Sequence, residues 1–169
     1  MPVPIKTPIK KGLFIGRFQP LHNAHLKDIK DALKEVDVLT IGIGSSNKQR
    51  TSDNPFSAQE RREMIEAALG EEGMHSFQIV EIPDFHDDGR WMEHIKTLMP
   101  RPDVIFMGNQ EAQRFFERRG YTVRKLPFVE GISGTIVREM MRASKKWESL
   151  VPKAVARYIG EANLPRHVK

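Results

Sequence analysis

Two histidines three residues apart, His22 and His25, stand close to Arg17 in the stretch Gly16-Arg17-Phe18-Gln19-Pro20-Leu21-His22-Asn23-Ala24-His25. The short apolar run Leu13-Phe14-Ile15 precedes this stretch, and Leu26, Ile29, Leu33 and Val36 follow it at helical spacing. That pattern predicts a strand, a loop and a helix, with the loop between a strand's carboxyl end and a helix's amino end. Free backbone N–H groups and the helix dipole make such a place attractive to anions. Residues three apart share a face of the first helical turn, so Arg17, His22 and His25 form a ledge suited to phosphate chemistry. The pair also fits an incidental surface position, or two metal ligands for which no third ligand is evident.

Three further loops offer chemistry at the ends of later strands. One carries Lys48 and Arg50, a second carries Asp84 and Asp88 ahead of Trp91, and a third presents Ser133-Gly134-Thr135 with Arg138 one turn inside a helix. Hydroxyls and N–H groups at a helix start, with Arg17 and Arg138 nearby, suit a polyphosphate. A flat tryptophan beside two carboxylates suits an aromatic ring that carries donors or positive charge. Each feature has a plainer use. Trp91 fits the core equally well, since Ile95 and Leu98 share its helix. Ser133 serves as an N-cap, and Asp87-Asp88-Gly89 as a turn.

The elements that position these loops follow from periodicity. Strands are predicted at Leu13–Ile15, Asp37–Gly44, Phe77–Ile82, Asp103–Met107 and Tyr121–Leu126, with helices between them. Ser57 and Glu60 form a capping box for the second helix, and Gly70 is expected to stop it. Pro152 fits the first turn of a last helix. Strand and helix alternate five times, the pattern of a single Rossmann-like, doubly wound α/β domain. Its five-stranded parallel sheet would have helices on both faces. Residues 12–162 are expected to form this domain, with a flexible N-terminal arm at 1–11 and a C-terminal tail at 163–169. All the polar loops then open on one edge of the sheet.

The chain has 169 residues, no cysteine and a net charge of +5. Lack of cysteine excludes disulfides and thiolate metal sites. Without an apolar run of about 20 residues or a signal-peptide core, the reading is a cytoplasmic protein with no membrane partner. The basic residues lie in short separate pairs, such as Arg118-Arg119 and Lys145-Lys146. They do not form a stripe of the kind that binds nucleic acid. Neither a Gly-x-x-x-x-Gly-Lys-Ser/Thr loop nor a Gly-x-Gly-x-x-Gly turn follows a strand, so those nucleotide modes are excluded.

Gly16-Arg17-Phe18-Gln19-Pro20 with His22-x-x-His25 resembles the first signature of the His-x-Gly-His nucleotidyltransferases, relatives of class I aminoacyl-tRNA synthetases. Ile132-Ser133-Gly134-Thr135-x-x-Arg138 resembles their second signature. Asn54-Pro55-Phe56-Ser57-x-x-Glu60-Arg61, and Pro83-Asp84 followed by Arg90-Trp91-x-x-His94, narrow the likeness to archaeal-type nicotinamide mononucleotide (NMN) adenylyltransferases. Those enzymes also occur in bacteria, sometimes fused to a Nudix domain. The likeness runs from about Gly12 to Tyr158.

The resemblance implies that ATP and NMN give NAD and pyrophosphate, with Mg²⁺ arriving through the ATP phosphates and no protein metal site. It implies an ATP side made of Gly16, Arg17, Phe18, His22, His25, Gly108, Asn109, Ser133, Thr135 and Arg138. Within it, His22 and His25 would stabilise the transition state. Arg17, Ser133, Thr135 and Arg138 would hold the β- and γ-phosphates, and Gly108 and Asn109 would meet the adenosine. Arg17 and Arg138 count with the histidines as catalytic. The NMN side would be Arg50, Asp84, Asp88 and Trp91, with the tryptophan stacked on nicotinamide and Arg50 or Lys48 near the phosphate. A homo-oligomer is also implied.

One departure stands out, since Ala24 occupies the place of the signature's glycine. A phosphopantetheine adenylyltransferase would share the two signatures but has no need of Trp91 with Asp84. A nucleotide sensor without turnover has no need of the histidines.

Overall fold

The computed structural model describes residues 7–162. The elements are β1 (Lys11–Gly16), α1 (Asn23–Glu35), β2 (Val38–Gly44), α2 (Ala58–Glu71), β3 (Phe77–Ile82) and α3 (Asp88–Leu98). They continue with β4 (Val104–Met107), α4 (Gln110–Glu117), β5 (Val123–Lys125), α5 (Gly134–Arg142), a 3₁₀ turn at Glu148–Leu150 and α6 (Lys153–Glu161). The five strands are all parallel, in the order β3-β2-β1-β4-β5. Chain order reverses its direction between β1 and β4, and the crevice above that point is where such sheets bind ligands.

Two apolar clusters cover the two faces, as the alternation of elements predicts. One gathers Phe14, Ile29, Leu39, Ile41, Met64, Val137, Val155 and Ile159, so α1, α2, α5 and α6 share a face. The other gathers Leu13, Ile82, Met92, Ile95, Ile105 and Phe116, which puts α3 and α4 opposite. Successive residues of β1, Leu13 and Phe14, therefore enter different clusters, as the period of a strand requires. Among the described residues no helix is long and apolar enough to cross a membrane.

Several boundaries differ from expectation for identifiable reasons. The expected arm ends in ordered chain. Lys10 N–H donates to Asp37 Oδ2 and Lys11 N–H to Asp103 Oδ2, both at 2.7 Å, and β1 begins at Lys11. Residues 1–6 and the tail at 163–169 lie outside the described residues. Helix α2 runs through Gly70 to Glu71, and Gly73, at φ +69°, supplies the left-handed turn instead. Strand β5 is an edge strand paired only with the four-residue β4, so it keeps three residues of the expected six. Pro152 is the N-cap of α6 and not its first residue. The three-residue 3₁₀ turn is too short to leave a periodic signal.

Candidate active site

The site grows from the loop after β1. His22 is the N-cap of α1, and its Nδ1 accepts from the backbone N–H of His25 at 3.2 Å. A histidine nitrogen that accepts carries no proton, so in the neutral ring the proton sits on Nε2. The ring of His25 stacks on that of His22, with centroids 3.6 Å apart. Phe18 meets the ring of His25 edge-on at 4.9 Å. Phe18 itself is 1 % exposed and belongs to the core. Its expected place in the ATP site is therefore corrected. The side chain lies beneath the site and props His25.

Burial lowers the pKa of both histidines. His22 falls to about 4, helped by the positive field of Arg138. His25 lies well below its usual value, first by burial and then by the charge of His22. Both rings are uncharged at neutral pH in the free protein. A bound polyphosphate would raise both values, because opposite charge favours the protonated form.

This has a consequence for stability. His22 titrates near 6.5 when unfolded and near 4 when folded, so its contribution is complete above pH 6.5 and is lost as pH falls toward 4. The full size is about 3 kcal/mol at 1.36 kcal/mol per unit. Asp28, raised by burial from 3.8 to about 6, acts in the opposite direction over the same range. Comparison with His22→Asn, which keeps an acceptor for His25 N–H, isolates the histidine. Urea denaturation at pH 7.5, 6 and 4.5 should show the advantage of the wild type over the variant shrinking with acid. A constant difference would contradict the assignment.

The second half of the ledge is the start of α5. Ser133 is its N-cap and accepts from Ile136 N–H at 3.2 Å. Arg138 lies back over the same turn, donating from Nη1 to the Gln19 carbonyl at 3.0 Å and from Nη2 to Thr135 Oγ1 at 3.3 Å. A side chain at Gly134 would put its Cβ 2.8 Å from Arg138 Nη1. Glycine at 134 is what lets the guanidinium lie across the helix start. Arg138 Nε and His25 Nδ1 are both buried without a hydrogen-bond partner among the described residues. Buried polar nitrogens without a partner, here one from each of the two helix starts, are unusual in a folded protein.

Above the switch between β1 and β4 lies a cavity of about 780 Å³. Gly16, Arg17, His22, His25, Gly108, Asn109 and Ser133 line it, as the sequence leads one to expect. A second cavity of about 490 Å³ is lined by Lys48, Asp84, Asp88 and Trp91 among others. Asp84, Trp91, Asn109 and Ala112 line both, so the two are lobes of one cleft. Trp91 serves two purposes. One side packs on Phe115 and Phe116 at 5.5 Å, and the residue still faces the cleft. Thr135 and Arg138 do not line the larger lobe; they stand behind Ser133, which does.

Arg50 is a correction. Its guanidinium turns to Glu60, with Nη1 at 2.8 Å and Nη2 at 2.5 Å from the carboxylate oxygens, and to the Pro55 carbonyl at 3.0 Å. Glu60 is held there because it also closes the α2 capping box, so Arg50 faces away from the cleft. Lys48 is the basic residue at the cleft, in an ion pair with Asp84 at 2.7 Å. Asp84 also accepts from Ser45 Oγ at 3.1 Å.

Three residues that organise the site were not singled out from the sequence. Gln19 exchanges two hydrogen bonds with the backbone of Phe56, at 2.9 and 3.0 Å, which locks the β1–α1 loop to the β2–α2 loop. Arg61, with no exposure, donates to the carbonyls of Arg17, Gly44, Ser45 and Ser57 at 2.8–3.2 Å. Asp28 lines the larger lobe and is 7 % exposed. A signal existed for two of them. Arg61 falls on the stripe of Met64, Ile65 and Ala68, and Asp28 on that of Ile29 and Ala32, where a charge needs a reason. Phe18, Ser45 and Arg50 hold positive φ values of 52°, 48° and 57° in the loops around the cleft. Such backbone persists only where neighbours over-determine it.

A model of the cytidylyltransferase-like family matches residues 13–140. The nicotinamide-nucleotide adenylyltransferase of Thermococcus onnurineus is 39% identical over 95% of this chain and 87% of its own. Among solved structures, a bifunctional NMN adenylyltransferase/ADP ribose pyrophosphatase from Francisella tularensis superposes with a TM-score of 0.79 at 20% identity. It covers 90% of this chain, which spans 50% of that protein. A second structure of the bifunctional protein, with AMP and a Mn ion, gives a TM-score of 0.75, with the same identity and coverage. The chain belongs to the cytidylyltransferase-like family and, within it, to the nicotinamide-nucleotide adenylyltransferases.

Proposed function

We propose that the protein transfers the adenylyl group of ATP to NMN, forming NAD and pyrophosphate. The observation that supports this best is the convergence of two helix starts on one two-lobed cleft. One start carries His22 and His25 and the other carries Ser133, with Arg17 and Arg138 at the ledge. In the reaction an oxygen of the NMN 5′-phosphate attacks the α-phosphorus of ATP. The new P–O bond forms as the α–β bridging bond breaks, and its electron pair leaves with pyrophosphate. The attacking group comes with the substrate, so the protein needs only to align two anions and offset their charge.

The residues present suit that task. His22 donates from Nε2–H at the α1 start, where backbone N–H groups also point. Arg17 meets the β- and γ-phosphates from the cleft wall, Arg138 adds positive charge from behind the α5 start, and Gly108 and Asn109 flank the nucleoside. The arginines, hydroxyls and backbone N–H groups of the ledge suit phosphate oxygens, and among the described residues no group of three or more His, Asp or Glu is placed to hold a metal ion. Mg²⁺ would therefore enter on the triphosphate, where it would neutralise charge on the departing pyrophosphate.

NMN fits the smaller lobe, with Trp91 against its ring. Asp84 and Asp88 favour the neutral amide over a second carboxylate by like-charge repulsion. Stacking worth about 1–3 kcal/mol predicts that Trp91→Ala raises the KM for NMN roughly 5- to 160-fold, with a smaller change in kcat. An unchanged KM would remove Trp91 from the site. Lys48→Ala should raise the same KM roughly fivefold, the worth of an exposed charge contact near 1 kcal/mol. Arg50→Ala should leave it within twofold. The reverse ranking would restore Arg50 as the phosphate contact. The test of the whole reading is a coupled assay of purified protein with ATP and Mg²⁺ against NMN, nicotinic acid mononucleotide and phosphopantetheine. Preference for phosphopantetheine would overturn it.

A further inference from the structure

Asp28 lies on the cleft-facing side of α1, three residues beyond His25 and six beyond His22. The residue is 7 % exposed, its carboxyl oxygens stay open to the cleft rather than sealed in the core, and among the described residues they take part in no hydrogen bond and no ion pair. Buried carboxylates ordinarily have a partner, since losing water without one is costly. The neighbouring charges do not supply it. Lys27, on the same helix, is taken up by Asp31 at 2.8 Å. Lys125 lines the same lobe from the end of β5 without pairing with Asp28. His22 and His25 lie toward the helix start and are uncharged. Burial accordingly pushes the Asp28 carboxyl up to about 6, with Lys27 lowering it and Asp31 raising it by smaller amounts. The packing of α1 does not require the group, because Ile29, Ala32 and Val36 carry the contacts with the core.

The position of the carboxyl says what it can meet. A phosphate would be repelled, and the phosphate end of the cleft is already marked by Arg17, Arg138 and the two helix starts. At 1.5 Å per residue, Asp28 lies about 9 Å along α1 from His22. A nucleotide whose phosphates rest on the helix start has its nucleoside at that distance. Leu126, Pro127, Val129 and Ile132 give the same part of the lobe an apolar wall, suited to the face of a base. An acceptor with no protein partner then faces the nucleoside's donors.

We propose that Asp28 fixes the nucleoside of the adenylyl donor by accepting a hydrogen bond from a neutral donor on it, either a ribose hydroxyl or the exocyclic amine of the base. The proposal rests on the larger lobe being the ATP site. It makes Asp28 a determinant of nucleotide affinity, not a group in the chemical step.

The test compares wild type, Asp28→Ala and Asp28→Asn in steady-state kinetics, thermal melting and calorimetric ATP binding. The nucleotides are ATP, 2′-deoxy-ATP, 3′-deoxy-ATP and purine riboside triphosphate, which lacks the amine. Asp28→Ala should raise the KM and Kd for ATP at least tenfold. It should leave kcat within threefold, the KM for NMN within twofold and the melting temperature undiminished. Asp28→Asn, which keeps one acceptor oxygen and the shape, should lose less. The analogue that lacks the contacted donor should bind wild type as weakly as ATP binds Asp28→Ala, and should lose nothing further in the variant. Unchanged ATP affinity in Asp28→Ala, or an equal loss for all four nucleotides, would overturn the proposal. Wild-type protein that binds ATP yet fails to join it to NMN would overturn the functional reading and leave the binding comparison decisive for Asp28.

Discussion

His25→Ala is expected to lower kcat by about 10²–10³, the range for removing one preorganised donor from a site of charge development, while the Kd for NMN changes little. The imidazole of His25 is held by two rings, and its backbone by a third contact. It stacks on His22, meets the edge of Phe18, and its backbone N–H is bonded to the His22 ring. A group fixed in this way does not reorganise when charge appears in the transition state. Because both rings are neutral in the free protein, they bring little charge for a ground-state anion to bind, and their value is in directed N–H donation. Phosphate contact raises their proton affinity at the point where negative charge is greatest. Single-turnover kinetics and NMN binding measured side by side provide the check. A variant with normal turnover and collapsed NMN binding would reverse the roles assigned to the two lobes. Thermal melting guards against a trivial cause, since the lost ring leaves a small gap above Phe18.

Arg61→Met is expected to destabilise the fold by about 3–5 kcal/mol, from several buried carbonyls that lose charge-assisted hydrogen bonds at about 1–3 kcal/mol each. In a chain of this length that corresponds to roughly 6–20 °C in Tm. The Arg61 side chain crosses from α2 to the carboxyl ends of β1 and β2, and its donors meet four backbone carbonyls at 2.8–3.2 Å. Burial brings its pKa down to about 10, so the guanidinium stays charged. Methionine would fill the stem's volume but strip the guanidinium donors from all four carbonyls, of which Ser45 and Ser57 keep the backbone N–H groups of Lys48 and Arg61. Arg61→Lys, with three donors in place of five, should fall between the two. Any folded fraction of the methionine variant should bind ATP and NMN more weakly, since the carbonyls in question belong to Arg17 and Ser45. A Tm within 2 °C of wild type would show that the network is dispensable.

The sequence revealed the sheet and the anion ledge because both depend on local signals. Apolar runs mark the strands, and Ser57 and Ser133 begin helices as cap residues do. The carboxyl-end location of the polar loops followed from strand–helix alternation alone. What stayed hidden depends on contacts between distant parts of the chain. The side chain of Arg50 follows Glu60, which is claimed by its own capping box, and no spacing rule conveys that competition. Phe18 sits in a motif full of ligand-facing residues and yet points inward, because a left-handed backbone at φ 52° turns it under His25. Gln19 and Arg61 bond to backbone atoms 37 and 44 residues away, beyond the reach of any periodicity.

The bond from Arg138 Nη1 to the carbonyl of Gln19 spans 119 residues of chain. During synthesis the amino-terminal strands and the histidine loop leave the ribosome first. A nascent chain can pair β1 with β2 and seat Gln19 against Phe56, but it lacks the arginine that closes the phosphate end. At 5–20 residues per second, those 119 residues take roughly 6–24 s to add. For that interval the growing chain carries the α1 start with Arg17, His22 and His25 but not the α5 start that faces the same cleft. The central place of β1 in the sheet thus makes substrate capture one of the last abilities the molecule acquires. Ribosome-bound fragments ending before residue 138 should be blind to ATP, however well folded their first half.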